Sequence, residues 1–191
     1  MSISSVKPPT PSAASPDASV SLGHIRLRPA SRQDAAALLA FKIIVLAETE
    51  FLLQGPEDIS GQVHEERKLI DSFLQHPGCR LLLAWDGAEV IGMCTSVAGS
   101  LARSRHVAQT GMAVRRSHWR RGVASALLEE SIRWARDDAG LHKLSLQVHA
   151  ENQPARQLYE RHGFAYEGRL REEALLDGRF VDLLAMGRFL T

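Results

Sequence analysis

The sequence contains little cysteine and no long apolar segment, and each absence narrows the class of protein. Its two cysteines, Cys79 and Cys94, form neither a metal-ligand spacing nor a disulfide framework, which favours a reducing compartment. No apolar run approaches the length needed to span a bilayer, and the first residues lack the apolar core of a secretory signal. We therefore predict a cytoplasmic protein that does not engage a membrane.

An excess of one charge is also missing. The chain carries 23 Lys and Arg against 22 Asp and Glu, for a formal net charge of +1. A near-neutral total gives no long-range field that would attract nucleic acid or an acidic partner. We therefore predict no nucleic-acid partner. The alternative, binding through Arg115, Arg116, Arg120 and Arg121, would show as salt-dependent retention on DNA.

Several common motifs are absent. The Gly-x-x-x-x-Gly-Lys-Ser/Thr pattern of a P-loop does not occur, and the basic cluster holds one glycine where a dinucleotide fingerprint needs three. No Ser/His/Asp arrangement and no grouping of metal-ligand residues is visible, so no metal site is expected.

The composition that is present is that of one ordinary domain. The chain has 191 residues, of which 45% are hydrophobic and 24% charged. Residues 1–22 are rich in Ser, Pro and Ala and are predicted to be a disordered tail ahead of a domain at 23–191. An organelle transit peptide is the alternative for this tail, and the absence of arginine argues against it.

Hydrophobic periodicity within 23–191 indicates an α/β domain with a mixed sheet. The predicted elements are a strand at 24–28, a helix following Ser31 or Asp34, a helix at about 60–75, strands at 79–85, 89–97 and about 104–114, a helix at 122–138, a strand at 144–148, a short helix opened by Asn152, and strands beginning at Phe164 and Val181. The segment 104–148 is long enough for a right-handed crossover between two parallel strands.

One stretch joins a predicted strand to a predicted helix through a basic turn. An apolar run ends at Val114, four arginines follow, and Gly122 and Ala124 open the helix. The first N–H groups of a helix have no partner within it, and small residues let a ligand approach the backbone. The stretch therefore predicts a cradle for phosphate or pyrophosphate, with a solvated basic turn as the alternative on spacing alone.

A second constellation lies at 152–164, with Asn152, Ala155, Leu158-Tyr159 and Gly163-Phe164. Together with the first stretch it resembles the GNAT acyltransferase superfamily. That family's first motif reads Val, four residues, Gln or Arg, two residues, Gly, one residue, Gly or Ala. Its second motif reads Asn, two residues, Ala, two residues, Leu-Tyr, two or three residues, Gly-Phe. Both occur here in the family's order, and the resemblance spans about residues 24–189.

The resemblance implies a mixed, mostly antiparallel central sheet flanked by helices, with one parallel strand pair at an acetyl-CoA cleft. Residues 111–114, Trp119, 167–168 and 177–182 are similar to the branch that acetylates small amines, including free L-amino acids. The chain departs from the family pattern at Trp119, where Gln or Arg is usual, and at Arg120, where the first glycine of the loop often falls. Neither departure is expected to abolish cofactor binding, since backbone N–H groups make most of the contacts.

The resemblance also implies which residues hold the cofactor. The loop 119–124 would wrap the pyrophosphate, and the strand ending at Val114 would diverge from the strand at 144–148 and pair with the pantetheine arm. Asn152 would hydrogen-bond that arm, a role compatible with capping its own helix. The predicted cofactor residues are Met112, Val114, Trp119, Arg120, Arg121, Gly122, Val123, Ala124 and Asn152.

Three residues are candidates for the chemistry. Attack of an amine on a thioester expels a thiolate, which the Tyr159 hydroxyl could protonate, whereas without the motif Tyr159 would be a core aromatic residue. Glu48 and Glu50 lie in the segment that, by resemblance, borders the acceptor pocket and could take the proton of the amine. A solvated charge at a helix end is the alternative for each. His106 is interpreted as structural.

We therefore expect an enzyme that transfers an acetyl group from acetyl-CoA to a primary amine by direct attack, with a small molecule such as an amino acid as the acceptor. The alternatives are an acetyl-CoA-binding sensor without turnover, and an enzyme that acetylates a protein N-terminus, a polyamine or an antibiotic. The predicted partner is the small-molecule amine, and a homodimer is left open. The acceptor segments 48–60 and 169–180 carry no pattern that names the amine.

Overall fold

The computed structural model describes residues 20–176 and 178–191, which form eight strands and four helices. The strands are β1 (Val20–Leu22), β2 (Ile25–Pro29), β3 (Cys79–Asp86), β4 (Glu89–Ala98), β5 (Val107–Val114), β6 (Lys143–His149), β7 (Ala165–Leu176) and β8 (Arg179–Phe189). The helices are α1 (Ala35–Glu48), α2 (Val63–Gln75), α3 (Val123–Asp137) and α4 (Gln153–Arg161). Within these described ranges, no helix is long and apolar enough to cross a membrane.

The strands form one sheet in the order β1-β2-β3-β4-β5-β6-β8-β7. Every neighbouring pair is antiparallel except β5 and β6, which are parallel because α3 carries the chain back across the sheet. Alternation along β3 shows how the two faces are covered. Leu81 and Leu83 pack with α1 and α2, whereas Leu82 and Ala84 pack with α3. This mixed, mostly antiparallel sheet confirms the predicted fold class.

β5 and β6 stay paired for only three residues on each strand, 107–109 with 143–145. Backbone groups alternate in direction along β5, and the Arg115 N–H that follows it donates to the Ile91 carbonyl on β4. The residues that direct their N–H and C=O groups toward β6 are therefore Thr110, Met112 and Val114. Because β6 has diverged at this point, the fold leaves an open strand edge on β5.

Two buried ion pairs join the helices to each other and to the sheet. Lys42 on α1 bonds Glu66 on α2 at 3.0 Å, and the two residues are 8% and 6% exposed. Arg80 on β3 bonds Glu130 on α3 at 3.0 Å, and Arg133 bonds the same carboxylate. Burial removes the hydration of both charges, so such pairs fix geometry more than they add stability. Removing one partner would cost about 3–5 kcal/mol because it leaves the other charge unpaired.

Several predicted boundaries differ from the structure by one to three residues, and backbone hydrogen bonds explain two of them. Residues 20–22, which were predicted to end the tail, form β1 because they pair with β2, while residues 1–19 lie outside the described residues. The strand predicted from about residue 104 begins at Val107, because the Val107 N–H donates to the Ser104 carbonyl and closes a turn. Asp177, in the acceptor segment 169–180, also lies outside the described residues.

Candidate active site

A cleft of about 980 Å³ opens where β5 and β6 diverge. It is bounded on one side by α3, α4 and the loop before α3, and on the other by α1 and the segment that follows it. The predicted site residues that line it are Met112, Val114, Trp119, Arg120, Gly122, Val123, Ala124, Asn152 and Tyr159. The structure therefore brings the two sequence motifs together, and Arg121 is the predicted cofactor residue that lies outside this lining.

The loop before α3 ends in a left-handed residue that starts the helix. Gly122 has φ +80°, a conformation that glycine adopts without steric cost, and a short 3-10 turn at Arg116–His118 precedes it. The Ala126 N–H donates to the Gly122 carbonyl, so the N–H groups of residues 123–125 have no partner within the helix. Together with the helix dipole, these N–H groups form an anion site.

Two arginines add positive charge to the cleft. Arg120 lines the cleft from the loop, and Arg161 lines it from the last turn of α4. Arg120 holds φ +60°, a sparsely populated conformation for a residue with a side chain, which costs of order 1 kcal/mol or more. Arg161 was missed at the sequence level because it lies inside the second motif, away from the basic turn.

Trp119 closes the end of β5 toward the loop. Its indole N–H donates to the Val114 carbonyl at 2.7 Å, which occupies that oxygen and leaves the Val114 N–H on the open strand edge. The Arg116 guanidinium lies over the indole, 5.6 Å from the ring centroid. Trp119 is 47% exposed, whereas Trp85 and Trp134 are each 7% exposed. The indole is therefore the tryptophan side chain that a ligand in the cleft can reach.

A histidine that no motif singles out anchors the same loop to the turn between β3 and β4. His118 Nε2 lies 3.2 Å from Asp86 Oδ2, and its Nδ1 lies 2.8 Å from Ser117 Oγ. The hydrogen bond from His118, with a smaller contribution from nearby His24, holds the pKa of Asp86 below its ordinary value. Since His118 also lines the cleft, this anchor helps to position the anion site.

The second motif places two predicted residues on α4. Asn152 caps the helix by accepting the Ala155 N–H at 3.2 Å, and Asn152 also lines the cleft. Tyr159 is 7% exposed and packs edge-on against Phe164 at 5.7 Å between ring centroids. Burial raises the pKa of Tyr159 well above its ordinary value, so the hydroxyl keeps its proton through the neutral range. A protonated phenol beside the open strand edge can donate a hydrogen bond or a proton.

The structure does not bring the two predicted carboxylates into the cleft. Glu48 Oε2 accepts the Arg116 N–H at 2.6 Å, and the Glu48 carbonyl accepts a hydrogen bond from the Arg116 guanidinium. Glu50 is exposed and lies outside the cleft lining. Glu48 therefore joins the end of α1 to the loop before α3. His106 lies beside His142 near the closed end of the β5–β6 pair, with 6.0 Å between ring centroids.

The side of the cleft that faces α1 is built from residues that no motif named. Gln109 on β5 and Gln147 on β6 face this side, opposite to their buried neighbours Ala108 and Val148. The apolar residues on this side are Val45, Phe51, Leu52, Leu53, Val97 and Ala113. The period-2 alternation of strands could have identified the two glutamines. No local signal identifies the loop residues, because their positions depend on how the segment after α1 folds back.

The divergent parallel pair, the anion site and the buried phenol together define a class of protein. They suit an extended acyl carrier with phosphates at one end, held along a strand edge, and an acceptor that enters from the other side. The chain belongs to the acetyltransferase (GNAT) family, whose model matches residues 46–164. The resemblance found in the motifs is thereby confirmed. The protein is an acetyltransferase, and acetyl-CoA is the acetyl donor of its family.

Similar proteins agree with this assignment. The L-amino acid N-acetyltransferase AaaT of Escherichia coli K12 is 36% identical over 113 residues, which cover 59% of this chain and 69% of that protein. An acetyltransferase of the GNAT family from Streptococcus pneumoniae has a TM-score of 0.83 and 30% identity, covering 87% of this chain and 99% of its own. The yncA structure from Salmonella typhimurium with its cofactor acetyl-CoA shares the fold, with a TM-score of 0.78, 19% identity and coverage of 88% and 95%.

Proposed function

We propose that this protein transfers the acetyl group of acetyl-CoA to the primary amine of a small molecule, with amino acids as the first candidates. The observation that carries the proposal is the opening between β5 and β6, which joins the anion site at residues 123–125 to Tyr159 and to a second side facing α1. One ligand can lie along the strand edge while another approaches from the opposite face. Two-sided access of this kind suits direct attack within a ternary complex, where proximity supplies much of the acceleration.

The residues present fit the acetyl donor, which supplies an activated acetyl thioester when bound. The N–H groups of 123–125, with Arg120 and Arg161, would hold its phosphates. The backbone groups of β5 over 110–114 would pair with its amide arm as an added strand does. Asn152 would bond the same arm from the start of α4.

The end of β5 would orient the reacting carbonyl. Because Trp119 already bonds the Val114 carbonyl, the group that β5 offers at this point is the Val114 N–H. A preorganised backbone N–H polarises a carbonyl oxygen and stabilises the negative charge that develops on it. In this proposal, the hydrogen bond from Trp119 to the Val114 carbonyl leaves the Val114 N–H as the last free group on the edge of β5.

Tyr159 would stabilise the thiolate that leaves when the thioester bond breaks. Its hydroxyl is buried and stays protonated because burial raises the pKa of Tyr159, so it can donate its proton in a hydrogen bond to the thiolate as it leaves. General acids placed in this way contribute about 10²–10⁴-fold to a rate. The described residues that line the cleft include no carboxylate, so the amine would arrive neutral. After attack its nitrogen would release one of its two protons to water and keep the other as the amide N–H, and the thiolate held by Tyr159 would take up one proton in return.

A thiol-release assay with acetyl-CoA and a panel of primary amines tests the proposal. The panel starts with amino acids because the relative AaaT is named for them. We expect thiol release with at least one small amine and only slow hydrolysis in its absence. Tight binding of acetyl-CoA in calorimetry, with no thiol release on any amine, would contradict acetyl transfer and indicate a sensor. Turnover confined to a peptide N-terminus would contradict the small-molecule acceptor.

A further inference from the structure

The side of the cleft that faces α1 carries no charge in its described lining. We define the acceptor subsite as six residues that line this side: Val45, Phe51, Leu52, Leu53, Gln109 and Gln147. Four of them are apolar and two carry neutral amides. The positive charge of the cleft lies instead on Arg120 and Arg161, on the opposite side. A ligand on this side therefore meets apolar surface, two amides and the hydroxyls of Thr49 and Thr95.

The charged groups that α1 carries beside the acceptor subsite are held by other partners, and Glu50 lies outside the cleft lining. Lys42 lies one turn before Val45 on α1, but its ammonium is buried and bonds Glu66 at 3.0 Å. The Glu48 carboxylate, one turn further on, accepts the Arg116 N–H at 2.6 Å. Neither group is oriented to pair with a charged ligand in the subsite, because each already has a fixed partner.

His149 supports the aromatic wall of the subsite as a neutral ring. It is 6% exposed, and its ring lies edge-on to Phe51 at 5.2 Å between centroids. Its Nδ1 accepts the Glu151 N–H at 3.1 Å, and a ring nitrogen that accepts a hydrogen bond carries no proton. The contact thus places an uncharged ring behind Phe51.

We propose that the acceptor is a primary amine with an apolar, uncharged body, such as a branched alkylamine or an amino acid with an apolar side chain; this assignment rests on the proposed acetyl transfer. Gln109 and Gln147 would receive the polar groups next to the amine. A second ammonium, or a side-chain carboxylate, would enter the acceptor subsite and lose its hydration without gaining a partner. Polyamines and acidic amino acids are therefore expected to be poor acceptors.

Two matched pairs of acceptors test this assignment: 3-methylbutylamine against 1,5-diaminopentane, and L-leucine against L-glutamate. We expect kcat/KM for thiol release to favour the apolar member of each pair by at least about tenfold. Calorimetric binding of the same four compounds in the presence of CoA gives a readout that does not require turnover. The same preference is expected there.

Two variants with matched exposure locate the preference in the subsite. Leu53 is 59% exposed and Leu74 on α2 is 58% exposed, so a carboxylate at either position leaves the core intact. Only Leu53 of the two lines the cleft. Leu53→Glu should improve 1,5-diaminopentane relative to 3-methylbutylamine by at least about fivefold, because it supplies a partner for the second ammonium. Leu74→Glu should leave that ratio unchanged.

The outcomes separate the acceptor class from the transfer reaction. Equal kcat/KM within each pair, or an unchanged ratio in Leu53→Glu, would overturn the acceptor class while acetyl transfer stands. Selective binding of the apolar compounds without thiol release from any amine would uphold the acceptor class and contradict the transfer reaction. Loss of both selectivity and turnover would overturn both.

Discussion

The two sides of the cleft present different kinds of groups to a ligand. On the α3/α4 side these groups are mostly main-chain: the free N–H groups of residues 123–125 and the open edge of β5 over 110–114. On the α1 side they are side chains, apolar ones on α1 and the segment after it and amides on β5 and β6. Ligand binding on the α3/α4 side depends on the conformation of the backbone, whereas ligand binding on the α1 side depends on which side chains are present.

Because of this difference, the two sides of the cleft tolerate substitutions differently. Main-chain groups keep their positions when most side chains change, provided that Gly122 can hold its left-handed conformation. The α1 side can change its acceptor by exchanging side chains such as Phe51 or Leu53 without altering the donor side. We therefore expect substitutions on the first side to change cofactor binding, and those on the second to change acceptor choice.

The largest effect is expected at Tyr159, which lines the cleft from α4. Tyr159→Phe removes the phenolic proton and keeps the buried ring with its contact to Phe164. We expect kcat to fall by about 100-fold or more, because the leaving sulfur loses its proton donor. KM for acetyl-CoA should stay within about twofold, since the phenol acts on the reacting end alone. Steady-state thiol release at saturating amine measures both constants.

Tyr166→Phe is the matched control for this variant, because Tyr166 is 60% exposed and lies outside the cleft. The pH dependence of the free energy of unfolding gives a second test of Tyr159. Burial raises the pKa of Tyr159 above its value in the unfolded chain. The stability of the folded state with a protonated phenol is therefore fully present below about pH 10 and is lost as the pH rises further. Tyr159→Phe should therefore lose less stability than wild type above pH 10. An unchanged kcat would remove Tyr159 from the mechanism.

Gly122→Val is expected to have the next largest effect and tests the main-chain side. The left-handed conformation at φ +80° costs a β-branched residue about 1–3 kcal/mol. Crowding adds little, since a Cβ there would meet only Leu22, at 3.5 Å. We expect calorimetry to show acetyl-CoA affinity reduced by about tenfold to 100-fold, because the loop leaves the geometry that aligns the N–H groups.

Gly140→Val separates backbone strain from loss of the anion site. Gly140 has φ +61° beyond the end of α3 and nothing within 4 Å of an added Cβ. The control should lose comparable stability in thermal unfolding and keep wild-type affinity for acetyl-CoA. If Gly122→Val also kept that affinity, the phosphates would lie elsewhere.

The helix starts on the main-chain side could be predicted from the sequence because the residues that form them act locally. Gly122 starts α3 and Asn152 caps α4, and each does so within one turn of its own position. Glu48 shows the opposite case. Its place near the end of α1 was correctly predicted, but the direction of its carboxylate depends on Arg116, 68 residues away along the chain. Phe51 had no local signal at all, since its role depends on how the segment after α1 folds back.

Prediction of the fold was limited in the same way, because some elements depend on contacts between distant parts of the chain. The strands predicted at 79–85 and 89–97 are present as β3 and β4, and Gly87 between them holds φ +57° at a tight turn. By contrast, residues 20–22 are a strand only through their pairing with β2, which no pattern within those three residues could indicate. The divergence of β5 from β6 was implied by the family resemblance and is visible in neither strand's own sequence.

Trp119→Phe should have a smaller effect on the donor side. Phenylalanine keeps an aromatic ring near Arg116 but removes the indole N–H, which leaves the Val114 carbonyl without its partner. A lost hydrogen bond of this kind corresponds to about threefold to tenfold weaker acetyl-CoA binding. The intrinsic fluorescence change on titration should largely disappear, because Trp119 is 47% exposed, and it should persist in Trp134→Phe, where the buried tryptophan is 7% exposed. A full fluorescence change in Trp119→Phe would place the ligand away from the indole.

The smallest effect is expected at Glu48, and it decides whether the α1 side supplies a base. Glu48→Gln keeps an acceptor for the Arg116 N–H and removes only the charge. We expect KM for acetyl-CoA to rise by no more than about threefold, with kcat and its pH profile unchanged, and Glu50→Gln to match wild type. If Glu48 instead took the proton of the amine, kcat would fall by about 100-fold and one limb of the pH profile would disappear. That result would place a catalytic charge beside the uncharged subsite, and the division between a side that holds the donor and a side that only selects the acceptor would no longer hold.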